Sequence, residues 1–352
     1  MVGGTVASRL PPLPALRDFI HLYNLRAKKI LSQNFLMDMN LTRKIVRAAG
    51  VREGDCVAEV GPGPGGITRA IIEANAARVD VVEIDQRFVP ALQYLSEAAD
   101  GRLHIHRADV LKFCIGETWK EAGEKKEEGV FEKTEWFDGA PHAHVIGNLP
   151  FNIASPLIIK YLREISYRKG PWMQGRVPLT LTFQMEVAAR ICSPIDSPTR
   201  SCFVPPPKVD VGVVRFEPLV QPLASSPFGV VEKLVRQVFH YRQKHVVKGL
   251  KTLYPEEEAT EKAHEVLREV RVAPNTTSIR LGVDQYAAMA AVYERQCNEH
   301  PGLFLYDYTK PKITVAALAE KPGSVPAPYP FKNYASLPSE GISLKDFDRV
   351  IV

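Results

Sequence analysis

The chain has 352 residues, a net charge of +5, and hydrophobic and charged fractions of 45% and 24%, which gives room for two domains with cores of their own. It holds no run of about eighteen apolar residues, which argues against a membrane span. Its five cysteines (Cys56, Cys114, Cys192, Cys202 and Cys297) form no CxxC pair, which argues for reduced thiols and against a disulfide framework or a structural zinc site. The charge is too mild to name a partner, so its distribution has to.

In chain order, residues 1–27 read as a leader. Its start, MVGGTVASRLPPLPALR, carries two arginines and no acid, a composition compatible with a mitochondrial presequence and equally with a plain disordered leader. A short amphipathic helix is expected over Asp18–Leu25, ahead of the basic stretch Arg26–Lys29. A second is expected over Leu41–Ala49, with Asn40 as N-cap and Gly50 closing it. Strands and helices then alternate. The expected strands are Cys56–Val60, Val79–Glu83, Leu103–His106, Ala143–Asn148, Leu179–Phe183 and Val211–Phe216, with helices over Ile67–Asn75 and Arg87–Ala98. Short β-rich runs separated by helices predict a parallel sheet of βαβ units, a Rossmann-like α/β domain over 28–218. Lys112–His142, charged and Gly-punctuated, reads as a surface insertion. Beyond Pro218 the pattern turns helical: Phe228–Leu253, Glu256–Val270 and Gly282–His300 predict a small all-helical domain over 219–309. The tail over 310–352 is rich in Pro, Ser and Gly and is expected to be disordered.

Gly61-Pro62-Gly63-Pro64-Gly65-Gly66 joins the first strand to its helix and satisfies GxGxxG, with Glu83 about twenty residues on at the end of the second strand. Glycines admit a ligand close to the backbone, and a carboxylate in that place can accept both hydroxyls of a ribose. The pattern alone leaves three readings open. One is a tight turn without a ligand. Another is a dinucleotide with its pyrophosphate at the helix N-terminus. The third is a methyltransferase whose cofactor lays its methionyl part over the turn. Two further residues favour the third. Asp109, after the third strand, is placed to bond an adenine amino group, although alone it reads as a helix N-cap. Asn148 ends the fourth strand. Four consecutive strand ends then carry ligand groups at the edge where open α/β sheets bind.

Asn148-Leu149-Pro150-Phe151 reads as a chemical device. The exocyclic amine of adenine is a poor nucleophile because its lone pair is delocalised into the ring. Two acceptors holding its hydrogens would turn the nitrogen toward a methyl donor. Asn148 can supply a side-chain carbonyl and Leu149 a backbone one, whose direction Pro150 stiffens through its fixed φ. Phe151 offers a stacking face. No strong base is needed, because the proton becomes acidic only after the methyl is attached.

These residues carry a resemblance. KKILSQNFL (Lys28–Leu36), EVGPGPGGIT (Glu59–Thr68), VVEID (Val81–Asp85), ADVL (Ala108–Leu111), IGNLPF (Ile146–Phe151) and FVPPPKVD (Phe203–Asp210) resemble, in order and over most of the chain, the small-subunit rRNA adenine N6,N6-dimethyltransferase family, its mitochondrial branch above all. The resemblance implies S-adenosylmethionine as cofactor, with Gln33, Asn34, Leu36, Gly61, Gly63, Glu83, Ile84, Asp109 and Asn148 lining its site. It implies that Asn148, Leu149, Pro150 and Phe151 hold the target adenine, with Phe203 closing on the other face and Lys208 on the substrate side. The implied substrate is two adjacent adenines in a hairpin loop near the 3′ end of mitochondrial small-subunit rRNA, where looped bases are splayed out at modest cost. A monomer in the mitochondrial matrix is implied as well. So is an association of this branch with transcription, through mitochondrial DNA and the organelle's RNA polymerase.

The chain departs from the family in one place. Relatives carry a further helix and strand between the equivalents of LTFQMEVAARI (Leu181–Ile191) and FVPPPKVD, where this chain has only a short link. On mean element sizes the deficit is roughly twenty residues. The expectation is a sheet that lacks a strand beside Val211–Phe216, an exposed edge, a less stable chain and a misplaced Phe203. That keeps a second reading in play, a non-catalytic nucleic-acid-binding or transcription-accessory protein on the same fold. A dinucleotide-dependent oxidoreductase ranks last, since it leaves Asn148–Phe151 without a role. Finally, Phe228–Tyr254 concentrates Lys233, Arg236, Arg242, Lys244, Lys248 and Lys251 with interleaved Phe239, Tyr241 and Tyr254, against Glu232 alone. Such a patch suits phosphate contacts to RNA.

Overall fold

The computed structural model describes residues 13–23, 35–125, 127, 132–192, 211–310 and 313–331. They divide into two compact units, the first ending at Val220 and the second beginning at Gln221.

In the first unit, β1 (Cys56–Val60), β2 (Arg78–Glu83), β3 (Leu103–Arg107), β4 (Ala143–Gly147), β5 (Leu179–Gln184) and β6 (Val211–Phe216) make one sheet in the order β3-β2-β1-β4-β5-β6. Every residue of β1, β2 and β4 is buried. That is why β1 and β4 read as apolar runs broken only by Glu59 and His144: helices cover both faces of a parallel sheet. The helices are α1 (Leu16–Leu22), α2 (Met39–Ala49), α3 (Gly66–Glu73), α4 (Val89–Ala98), α5 (Ile115–Glu124), α6 (Phe151–Ser166) and α7 (Met185–Cys192).

The structure corrects the sequence reading at several elements. The sheet is not all parallel: β6 runs antiparallel to β5, with Val211 opposite Gln184. Its exposure alternates along the strand, as in a half-solvated rim strand. The N-cap of α2 is Asp38, whose carboxylate accepts from the amides of Asn40 and Leu41 at 2.8 and 3.4 Å. The helix therefore starts two residues before Leu41, and Gly50 closes it at φ +80°. Lys112–His142 is not a surface insertion throughout. Ile115, Trp119 and Ala122 share one face of α5 and are buried, and the Trp119 indole donates to Asp80 on β2 at 3.0 Å. The charged residues that suggested an insertion lie on its other face.

In the second unit, α8 (Phe228–His240), α9 (Val246–Lys251), α10 (Glu256–Glu269), α11 (Val283–Glu299) and α12 (Val315–Ala319) enclose a core that includes Leu234, Val238, Leu250, Val266, Met289 and Tyr293. The single helix expected over Phe228–Leu253 is two. His245 is extended and bridges Thr277, and the Val246 amide donates to Thr276 at 2.7 Å, so long-range bonds replace the helical ladder there. The tail is ordered over 313–331. Leu318 of α12 is buried, and the Gly302 amide donates to Ser324 at 2.9 Å. Its Pro-rich composition conceals a short helix and a backbone bond back to Gly302. Residues 332–352 lie outside the described set.

Candidate active site

The ends of β1, β2, β3 and β4 open onto one cleft of about 930 Å³, its mouth included. Its wall combines Leu36, Gly61, Gly63, Glu83, Ile84, Asp109, Asn148, Leu149 and Pro150, brought from five separate stretches of sequence. Phe151 begins α6, and its side chain lies outside the described residues, as do Gln33, Asn34, Phe203 and Lys208.

The glycine turn is shaped by backbone that side chains resist. Gly61, Gly63 and Gly65 have φ of +66°, +54° and +86°, a region costly for other residues. Glu83 reaches across this turn: one carboxylate oxygen accepts from the Gly63 amide at 3.1 Å and the other from the Asp85 amide at 2.8 Å. Burial raises its pKa, and these amide bonds oppose the rise. Ile84, next along, is 61% exposed although large and apolar. With Val110 it gives the cleft two apolar jaws. Asp109 holds its own turn by accepting from the Leu111 amide at 3.0 Å. Lys160 on α6 donates to the carbonyls of Val110 and Phe113 at 3.1 and 3.0 Å, tying that turn to the helix that Phe151 starts.

Asn148 follows Gly147, the last residue of β4, and the buried Thr182 on β5 donates its hydroxyl to Asn148 Oδ1 at 2.8 Å. That bond fixes which way the amide faces. Pro150 is extended, at φ −53° and ψ 135°, and α6 begins directly after it.

The sequence reading missed Glu59, Thr182 and Lys160. Glu59 on β1 lines the cleft, almost fully buried, and accepts the Thr68 hydroxyl at 2.6 Å. Burial pushes its pKa up to about 8, helped by the charge of Glu83 and opposed by the Thr68 bond. Its signal was a lone carboxylate in an otherwise apolar strand.

The donor set decides what the cleft fits. Its described wall carries Glu59, Glu83 and Asp109 and not one Lys, Arg or His. The carboxylates of Glu83 and Asp109 disfavour a pyrophosphate and suit a cation, and S-adenosylmethionine carries a sulfonium and an ammonium. A model of the family described as ribosomal RNA adenine dimethylase matches residues 24–201 and 193–290. The chain belongs to the ribosomal RNA adenine dimethylase family. The two matched stretches meet in the short link between Ile191 and Phe203, where the sequence departs from its relatives. A Caenorhabditis elegans protein named dimethyladenosine transferase 1, mitochondrial, is 58% identical over 346 residues, which cover 92% of this chain and 93% of that one. The Homo sapiens protein of that name is 44% identical, covering 85% and 90%. A crystal structure of a dimethyladenosine transferase from Plasmodium falciparum shares the fold, with a TM-score of 0.52 at 20% identity over 75% of this chain and 98% of that one.

As a member of this family the chain is an rRNA adenine dimethyltransferase that uses S-adenosylmethionine. The cofactor supplies a methyl group on a positively charged sulfur. In this cleft Glu83 would meet the ribose hydroxyls, Asp109 the adenine amine, and Ile84 and Val110 the faces of that ring. An amide oxygen accepts two bonds, so Asn148 Oδ1 can hold an amine hydrogen of the target alongside Thr182. The Leu149 carbonyl would take the second hydrogen. Such an arrangement would work by orientation rather than by a strong base.

In the second unit Arg236, Arg242, Lys244 and Lys248 are exposed, and Arg236 pairs with Glu232 at 2.8 Å. Lys233 does not belong to this face. It is half-buried, donates to the carbonyls of Phe304 and Tyr306, both at 2.8 Å, and desolvation lowers its pKa to about 8. Its position within a basic run concealed a structural role.

Proposed function

We propose that this chain dimethylates the N6 amines of two adjacent adenines in a 3′-terminal hairpin loop of mitochondrial small-subunit rRNA, in the mitochondrial matrix. The observation that carries the reading is Asn148, held by Thr182 at the end of β4 and lining the same cleft as Glu83 and the glycine turn. The mitochondrial names of the relatives support the compartment. The exposed Arg242, Lys244 and Lys248 suit the phosphates of the hairpin stem.

The test is methyl transfer from labelled S-adenosylmethionine to the hairpin, with the modified bases mapped by mass spectrometry. Asn148→Ala is expected to lower kcat by about 10²–10³ while cofactor binding by calorimetry stays near wild type. Transfer that proceeds unimpaired in Asn148→Ala, or marks on bases other than two neighbouring adenines, would overturn the reading.

A further inference from the structure

Away from the cleft, the second unit presents an aromatic surface to solvent. Phe239, near the end of α8, is 40% exposed, and its ring lies nearly parallel to that of Tyr286 on α11, with centroids 5.5 Å apart and planes at 21°. The pair is held from behind. The Tyr286 hydroxyl donates to the Ser278 carbonyl at 2.9 Å, and Ser278 Oγ donates to the Val238 carbonyl at 3.2 Å. Ile279, next to that anchor, is 63% exposed, and Val283, one turn before Tyr286, is 46% exposed. Exposed apolar groups gathered in this way mark a contact surface.

The surrounding charge says what kind. Arg236 lies one helical turn before Phe239, Arg242 and Lys244 follow it directly, and Arg280 follows Ile279; all are exposed, and Asp284 is the acid at the α11 margin. Lys248 sits over the ring of Tyr241 at 4.9 Å. A flat ring pair bordered by cations fits a base with its flanking phosphates. A protein partner would have to supply several carboxylates in the same frame.

We propose that Phe239 and Tyr286 form a stacking platform for an unpaired base of the RNA, with Arg242, Lys244 and Arg280 holding the neighbouring phosphates. This rests on the RNA reading above and adds a second base-binding place, outside the methyl-transfer cleft. Stacking accepts any base, so the platform contributes affinity and register rather than sequence choice.

The experiment measures binding of the full chain to the rRNA hairpin by fluorescence anisotropy across a salt series, for wild type, Phe239→Leu, Phe239→Trp and Lys244→Gln. Phe239→Leu is expected to weaken binding by about tenfold or more with the salt slope unchanged, because no phosphate contact is lost. Lys244→Gln should make the slope shallower by about one. Phe239→Trp should bind like wild type, with its indole fluorescence quenched by RNA, a readout that survives if the leucine variant fails to fold. Wild-type affinity in Phe239→Leu, or an unquenched indole at saturating RNA, overturns the platform and assigns the apolar patch to a protein partner. If Lys244→Gln also leaves the slope unchanged, the RNA reading of this unit falls with it.

Discussion

Thr182 sits at the point where packing meets chemistry. Its hydroxyl, buried on β5, has the Asn148 oxygen as acceptor at 2.8 Å, and the alternative amide orientation would leave that hydroxyl in need of another partner. Thr182→Val is therefore expected to lower kcat about five- to thirtyfold, with KM for cofactor and RNA unchanged, and Thr182→Ser to restore it. A valine variant with full kcat would show that the amide needs no such guide. Asn148 was legible in the sequence because a strand end followed by proline marks a place where a side chain faces a ligand edge. Thr182 was not. Any inward-facing threonine of a strand reads alike, and this one gains meaning only when β4 and β5 align with Gly147 opposite Leu181. Glu59 allows a pH test. Its pKa of about 8 stands above the ordinary carboxylate value through burial. The folded state therefore keeps a proton that the unfolded chain releases, and stability falls as pH rises from about 5 to 8. Denaturant melts of wild type and Glu59→Gln should diverge over that window, the glutamine variant gaining by up to about 1.4 kcal/mol per pH unit. A difference that does not vary with pH would mean the carboxyl is already ionised.

Among the elements, α6 ties two sides of the cleft together. It starts at Phe151, in the proposed target-binding segment, and through Lys160 it holds the carbonyls of Val110 and Phe113 in the turn that carries Asp109. One helix thus links the proposed target side of the cleft to the cofactor's adenine side. Lys160→Met should raise the KM for S-adenosylmethionine about tenfold through lost charge-assisted bonds, with kcat at saturation little changed. A fall in kcat at constant KM would place the lysine's influence on the target instead. The strands β1 and β4 could be read closely from sequence because burial on both faces leaves a mostly apolar run. The break between α8 and α9 could not. It depends on His245 meeting Thr277, thirty-two positions away in a stretch of ordinary composition. In the same way α5 looked like a charged insertion until Trp119 found Asp80.

At the scale of the molecule, the rim of the sheet at β6 bears on stability. Among the described residues β6 pairs on one side only, with β5, through six aligned positions, and Val211 at its start is 37% exposed. The cleft is built on the other strands, at the ends of β1 to β4, so a weakened rim should lower stability without removing the cofactor site. The cores are also separate: the second unit has its own, around Leu234 and Met289. Unfolding should then show two transitions. S-adenosylmethionine at a hundred times its Kd adds about 2.7 kcal/mol to the state that binds it. That is a rise of roughly 5–10 °C for a domain of this size, confined to the transition of the first unit. Calorimetric scans with and without cofactor, beside the Caenorhabditis elegans relative, test this. The expected result is a lower first transition in this chain, raised by cofactor, and a second one that cofactor does not move. Equal melting of the two proteins would show that β6 needs no further neighbour, and a first transition indifferent to cofactor would show that the loss at the rim has reached the cleft.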